Sequence, residues 1–414
     1  MAKIISIKAR ELLDSRGTPT IETQIKTNKG ISKASVPSGR SRGIHEAFEL
    51  RDGGKRYKGK GVTKAVKIIN TKIARKLKGK KPEQADEKLL EMDSTAKKTK
   101  LGANTILSAS MASTRAAAQA KTMPLYQYIS RIFNTKKIKL PVPSFNIING
   151  GLHAGNRLDI QEYMISPTGA KTFSEALQIG SEIYQELKEI LHTEYGRKAI
   201  NIGDEGGFSP PLECYRAPLN LIMDAVQNMG YYKKIKLGID AAATNFYRNG
   251  KYYLEGTELT PDELADKYTE LTKAYPLTSI EDPFQENDFI SFAKLSKKLK
   301  KIQIIGDDLL CTNPLQIQKA IVTEACNCLL LKMNQIGTVT QALDAAKIAI
   351  KQGWNVRVSH RSGETNDDFI ADLAVGIGCG QIKAGAPCRG ERLAKYNRLL
   401  EIEEQSKIKY GAKK

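Results

Sequence analysis

Six charged residues each close a short apolar run: Asp240 after KLGI, Glu281 after LTSI, Asp307 after IQIIG, Lys332 after CLLL, His360 after NVRVS and Lys383 after GQI. Their successive gaps are 41, 26, 25, 28 and 23 residues, about one strand, one helix and two loops each time. Strands buried on both faces read as continuous apolar runs. In a (β/α) barrel the catalytic groups sit at the C-terminal ends of such strands. The spacing therefore predicts one mouth on which three carboxylates, two lysines and a histidine converge.

Three close carboxylates repel one another and raise their own pKa values unless a cation joins them. A hard divalent ion, Mg²⁺ before Ca²⁺, satisfies them through oxygen ligands. For any one of these acids, capping of the next helix is the competing role. Asp282 and Asp308 directly follow two of the three and read as caps or supports behind them. A lysine at a buried strand end must be paired or functional. Beside a divalent cation its pKa falls, giving a base that works near neutral pH. Glu205 lies in the tight loop NIGDEGGFSPP, His153 in the glycine-flanked INGGLHAGN, and Glu162 in DIQEYM. Arg361 and Ser362 offer a guanidinium and a hydroxyl in sequence, a combination suited to a phosphate or carboxylate.

The elements that must hold these groups are legible along the chain. IISIKA, TIETQIKT and ISKASV, with a turn at Asn28-Lys29-Gly30, read as β structure. The Gly/Ser/Arg loop PSGRSRG (37–43) follows, then helical patterns in VTKAVKIINTKIARKLKG and TILSASMASTRAAAQA. Leu140-Pro141-Val142-Pro143 is stiff and extended, which sets a boundary near 134–140. Beyond it, apolar strands alternate with amphipathic helices. The reading is an α/β chain: an N-terminal α+β capping unit over 1–136, then an α/β barrel over 137–414 that carries the site.

The 414 residues carry 41% apolar side chains, which excludes a disordered chain. No apolar run approaches the roughly 20 residues that span a bilayer, and MAKIISIKARELLDSRG lacks the apolar core of a signal peptide. Six cysteines are too sparse for a disulfide scaffold and read as reduced thiols of a cytosolic protein. The net charge of +20 comes from dispersed lysine runs such as Lys297, Lys298, Lys300 and Lys301. Such runs read as solvated faces, with loose binding to nucleic acid or another polyanion as the alternative.

The segments ARELLDSRGTPT, VPSGRSRGIHEAFELRDGG, LGANTIL, SFNIINGGLHAGN, GDEGGFSPP, IEDPF, GDDLLCTNP, LLLKMNQIGT, VSHRSGET and GQIKAGAPCRGERLAKYNRLLEIEE together resemble enolase over nearly the whole chain. The resemblance implies Mg²⁺-dependent, reversible dehydration of 2-phospho-D-glycerate to phosphoenolpyruvate, and a barrel with one early antiparallel strand. It implies that Asp240, Glu281 and Asp307 bind a first Mg²⁺ and that Ser41, in the 37–43 lid, ligates a second. It makes Lys332 the base at C2 and Glu205 the acid at the 3-hydroxyl, with Glu162 beside it. His153, His360 and Lys383 line the substrate, and Arg361 and Ser362 hold its phosphate. It also implies a homodimer. A catalytically weak paralogue that binds RNA or a surface ligand is the competing reading.

Three departures from the family pattern matter. Arg40 and Arg42 flank Ser41 where a small residue and a threonine are usual. Both are expected to point away from Ser41, toward solvent or the phosphate. Glu401 stands where relatives carry an arginine that pairs across the dimer with the acid aligned to Glu22, so two acids would face each other there, with Arg398 one helical turn away. The other interface pair, aligned to Arg10 and Glu391, is kept.

Overall fold

The computed structural model describes residues 2–40 and 43–411. The chain opens with strands β1 (Ile4–Leu13), β2 (Pro19–Thr27) and β3 (Gly30–Ser35), an antiparallel sheet in the order β1-β2-β3. β1 runs past the expected IISIKA to Leu13, because Arg10 and Leu13 still pair with Glu22 and Pro19 of β2. The helix Ala103–Ala120 packs on β2 and β3. Its alanines and serines let the backbones approach closely, and the buried hydroxyls of Thr23 and Ser108 meet at 2.5 Å.

The next eight strands of the main sheet close into a barrel. They are β4 (Val142–Asn149), β5 (Glu162–Ser166) and β6 (Lys236–Asp240), then, after the small sheet of β7 (Tyr247–Arg248), β8 (Lys251–Leu254) and β9 (Thr257–Leu259), β10 (Leu277–Glu281), β11 (Gln303–Gly306), β12 (Cys328–Leu331), β13 (Asn355–Ser359) and β14 (Gln381–Lys383). Their order around the barrel is β10-β11-β12-β13-β14-β4-β5-β6. β5 is antiparallel to both its neighbours, while the other barrel pairings are parallel. Ile305, Cys328 and Leu330 form a small apolar plug separate from the main core.

The reversed β5 has a direct consequence for the mouth. The parallel strands deliver their last residues to it, and β5 delivers its first. Glu162 therefore pairs in register with Asp240, which pairs in turn with Glu281. Three acids from three strands line up side by side. All six cysteines are free thiols; Cys326 and Cys328 are buried, and burial raises their pKa, Cys328 to about 12. Among the described residues, no helix is long and apolar enough to cross a membrane.

Candidate active site

Glu162, Glu205, Asp240, Asp307, Lys332, His153, His360, Arg361, Ser362 and Lys383 all line one small cavity, about 20 Å³, at the strand C-terminal mouth. That is roughly the room of one water, because the side chains are drawn together by ion pairs. The Lys383 ammonium lies 2.7 Å from Glu281 Oε1, 2.8 Å from Glu162 Oε2 and 3.1 Å from Asp240 Oδ2. Burial alone would lower its pKa, but these acids outweigh it and hold Lys383 well above the ordinary lysine value. Lys332 Nζ sits 2.5 Å from Asp307 Oδ2. Burial opposes its charge as well, yet Asp307 raises it above the usual range. The fall expected from the sequence is therefore absent while Asp307 pairs with Lys332.

The carboxylates answer in kind. Burial, then the charge of Asp240, pushes Glu281 well above the usual carboxylate range. Its Oε2 is buried with no hydrogen-bond partner. Asp240, Glu281 and Asp307, buried together, each drawing an ammonium group and Glu281 keeping an orphaned oxygen, form a donor set suited to a hard cation. Asp282 plays another part: its two oxygens accept the backbone N–H groups of Asp307 at 2.8 Å and Asp308 at 2.7 Å. It fixes the loop that presents Asp307, as a support behind the ligands would.

Glu162 and Glu205 share His153, whose Nδ1 lies 3.4 Å from Glu162 Oε1 and 3.6 Å from Glu205 Oε1. Burial would lower the His153 pKa, but Glu205 and Glu162 raise it. The two acids are driven apart. Burial and the charge of Glu205 raise Glu162. Glu205 is lowered well below its ordinary value, because His360 and His153 overcome the cost of its burial. The opposed shifts favour the proton on Glu162 and the charge on Glu205, the reverse of the roles that the resemblance implies at the leaving 3-hydroxyl.

His360 shows how the scaffold sets a proton's position. Arg392 Nη1 lies 2.7 Å from His360 Nδ1, and a guanidinium can only donate. Nδ1 therefore accepts, and Nε2 carries the proton, 3.0 Å from Glu205 Oε2. Burial, with Arg392 beside it, pushes the His360 pKa down to about 3, so the ring is neutral. Arg392 also donates to the carbonyls of Arg361, Ser362 and Asp204, tying two site loops to the helix Gly390–Gln405.

Arg361 and Ser362 lie together as expected, but both are engaged. Arg361 binds Glu46 through two bonds of 3.0 Å. Ser362 Oγ accepts from Arg16 Nη1 at 3.2 Å and from the Arg40 backbone N–H at 2.9 Å. Ser38 and Gly363 exchange backbone hydrogen bonds of 2.8 and 2.9 Å, clipping the root of the 37–43 loop to the Arg361-Ser362 loop. The Arg40 guanidinium reaches Asp204 Oδ2 at 3.2 Å and the Leu152 carbonyl. Ser41 and Arg42 lie outside the described residues.

Sequence reasoning missed Asn146, whose amide donates to Glu205 Oε2 at 3.0 Å. A polar residue inside the apolar run SFNIIN was its one signal. It also missed Arg392, Glu46 and Arg16. Nothing in their local patterns separates them from surface charges; only the fold brings them to the mouth.

These features define a class: an α/β barrel enzyme with one reversed strand and its polar groups gathered at a single mouth. Residues 4–129 match the family model described as "Enolase, N-terminal domain", and residues 137–414 match "Enolase, C-terminal TIM barrel domain". The chain is 52% identical to "Enolase B" of Dictyostelium discoideum over 419 residues, covering 97% of this chain and 95% of that protein. The chain belongs to the enolase family and is accordingly a lyase, a phosphopyruvate hydratase.

Proposed function

We propose that the site catalyses the reversible, Mg²⁺-dependent dehydration of 2-phospho-D-glycerate to phosphoenolpyruvate, in the cytoplasm, as a step of glycolysis and gluconeogenesis. The observation that carries this reading is the convergence of Lys332, Lys383, Glu162 and Glu205 on one cavity with Arg361 and Ser362 at its side. Lys332 takes the C2 proton as the C2–H bond breaks. Glu205, which must first take up a proton because His360 and His153 favour its charged form, gives that proton to the 3-hydroxyl, which leaves as water while the double bond forms between C2 and C3. Glu162 and His153 hold Glu205 in place and supply the neighbouring charge that tunes it. His360, neutral and oriented by Arg392, lines the substrate, as does Lys383. Arg361 and Ser362 receive the phosphate. Asp240, Glu281 and Asp307 would hold a first Mg²⁺, and Ser41 a second. Bound Mg²⁺ would supply positive charge beside the substrate carboxylate, where negative charge grows as C2 loses its proton.

A coupled assay of phosphoenolpyruvate formation from 2-phosphoglycerate, run with and without Mg²⁺, tests this. Turnover that needs the metal is expected. A chain inert with Mg²⁺ present would instead favour a binding protein.

The lid carries its own expectation. Arg40 and Arg42 add positive charge near the site of the second cation, by an amount that screening limits. Asp204 offsets part of it at Arg40. The variant Arg40→Ala/Arg42→Thr is expected to reach half-maximal turnover at a Mg²⁺ concentration a few-fold lower. A Mg²⁺ titration giving an equal or higher value would show that the arginines do not oppose the cation.

The homodimer proposed from the resemblance meets a rearrangement of partners. Arg10 pairs with Glu22 at 2.8 Å, and Glu391 pairs with Arg389 at 2.8 Å, each within the chain. Arg398 holds Asp372 through two bonds and Glu401 at 2.7 Å. Each acid of the facing Glu22 and Glu401 thus has an internal counter-ion, and the repulsion between them is softened. Glu401→Arg is still expected to tighten the dimer, most visibly at low salt. Light scattering across a dilution series that gives equal dissociation for both forms would remove the idea.

A further inference from the structure

At the opposite end of the barrel from the mouth lies a second cavity, of about 410 Å³. It opens among strand starts: Lys236 begins β6, Gln303 begins β11, Asn355 begins β13 and Gln381 begins β14. Four cations line it, Lys236, Lys300, Lys301 and Arg357, and no aspartate or glutamate does. The three lysines are exposed at the rim and make no ion pair among the described residues. Arg357 is the informative member. It sits in the middle of β13, opposite Leu330 of the apolar plug, and only 4% of it is exposed.

Its bonds are all to neutral groups. Nε donates to Gln381 Oε1 at 3.2 Å and Nη2 to Ser279 Oγ at 3.4 Å. Gln381 and Gln303 join their side-chain amides by two bonds of 2.9 Å, and Asn355 donates to Gln303 at 2.7 Å. Nη1 is buried with no partner at all. No carboxylate pairs with this guanidinium among the described residues. A buried charge left without a counter-charge is strongly unfavourable. A ring of amides orients the guanidinium but cannot neutralise it.

We propose that this cavity is an anion-binding site at the N-terminal face of the barrel, with Arg357 at its floor and Lys300 and Lys301 at its rim, for a small phosphate-type oxyanion. Arginine binds phosphate through two parallel N–H bonds, and an open Nη1 beside a weakly held Nη2 supplies that fork. The cavity is larger than one phosphate and within the range of small-molecule sites. The anion is therefore either the free ion or the phosphate of a small metabolite. It is separate from the proposed phosphate seat at Arg361 and Ser362, since no residue lines both cavities.

The experiment is calorimetry on the full chain in Mg²⁺-free buffer, with inorganic phosphate and ribose 5-phosphate as probes. The forms compared are wild type, Arg361→Gln to silence the mouth, Arg357→Met, and Lys300→Gln/Lys301→Gln. Binding that survives Arg361→Gln and weakens at least tenfold in Arg357→Met is expected, with a smaller, salt-dependent loss in the lysine pair. Arg357→Met should also melt higher than wild type in phosphate-free buffer and lose the phosphate-dependent rise in Tm. A tighter ester assigns the rest of the cavity to a carbon frame; equal affinities assign the site to the free ion. Should Arg357→Met fail to fold, the exposed lysine pair decides. No heat with either probe, or binding lost in Arg361→Gln and unchanged in the other variants, overturns the proposal.

Discussion

Lys332→Ala is expected to lose turnover by a factor of about 10² to 10⁴, the usual contribution of a positioned general base, and to lose exchange of the C2 proton with solvent together with it. Glu205→Gln should behave differently. Its defect lies at the 3-hydroxyl, so it should block dehydration while C2 exchange continues. The split follows from the geometry: Lys332 is held by Asp307, and Glu205 sits apart from that pair with Asn146, His153 and His360. Removing Lys332 also leaves Asp307 buried without its ion pair, which destabilises a fold by itself. Lys332→Arg separates the two effects. It keeps a cation for Asp307, but a guanidinium does not give up its proton near neutral pH. Its exchange should be as low as that of the alanine variant, with a smaller fall in Tm. Wild-type C2 exchange in Lys332→Ala would reassign the base.

Glu281→Gln is expected to weaken Mg²⁺ binding by about tenfold or more, since a neutral amide replaces one of few charged oxygen donors to a hard ion. Excess chelator should abolish wild-type activity, and added Mg²⁺ should restore it. The measurement that does not depend on turnover is thermal melting. Ligands that bind only the folded state raise Tm with concentration. Wild type should show a Mg²⁺-dependent rise that Glu281→Gln, Asp240→Asn and Asp307→Asn each diminish. Without metal, Glu281→Gln should cost little stability, because Glu281 is an acid whose charge burial already disfavours. Full activity in excess chelator would end the metal assignment.

The strand-end groups were legible because each sits where an apolar run stops, and the runs are apolar because parallel barrel strands are covered on both faces. The same logic could not reach Glu162. It stands at the start of a strand, and only the reversal of β5 brings that start to the mouth. The reversal is a property of neighbouring strands, so no local period carries it; the resemblance supplied it instead. Arg392 was hidden for a related reason. It lies on an amphipathic helix with charges on several faces, and its complete burial depends on two loops folding over it. Arg357 lay within a quoted run, NVRVS, whose alternate residues face opposite ways; its burial without a counter-ion appears only once the barrel closes.

The clamp between Arg361 and Glu46 makes the molecule its own competitor. An internal carboxylate already fills both arms of the guanidinium proposed to receive phosphate. A phosphate arriving from solution must displace a tethered rival whose local concentration does not fall on dilution. The observed affinity is then the intrinsic one scaled by the fraction of molecules in which the rival has let go. Glu46 closely follows the proposed 37–43 lid in the chain, so letting go also loosens the segment that leads out of that loop. Occupancy of the proposed phosphate seat is thereby coupled to the segment that follows the 37–43 loop through one pair of side chains.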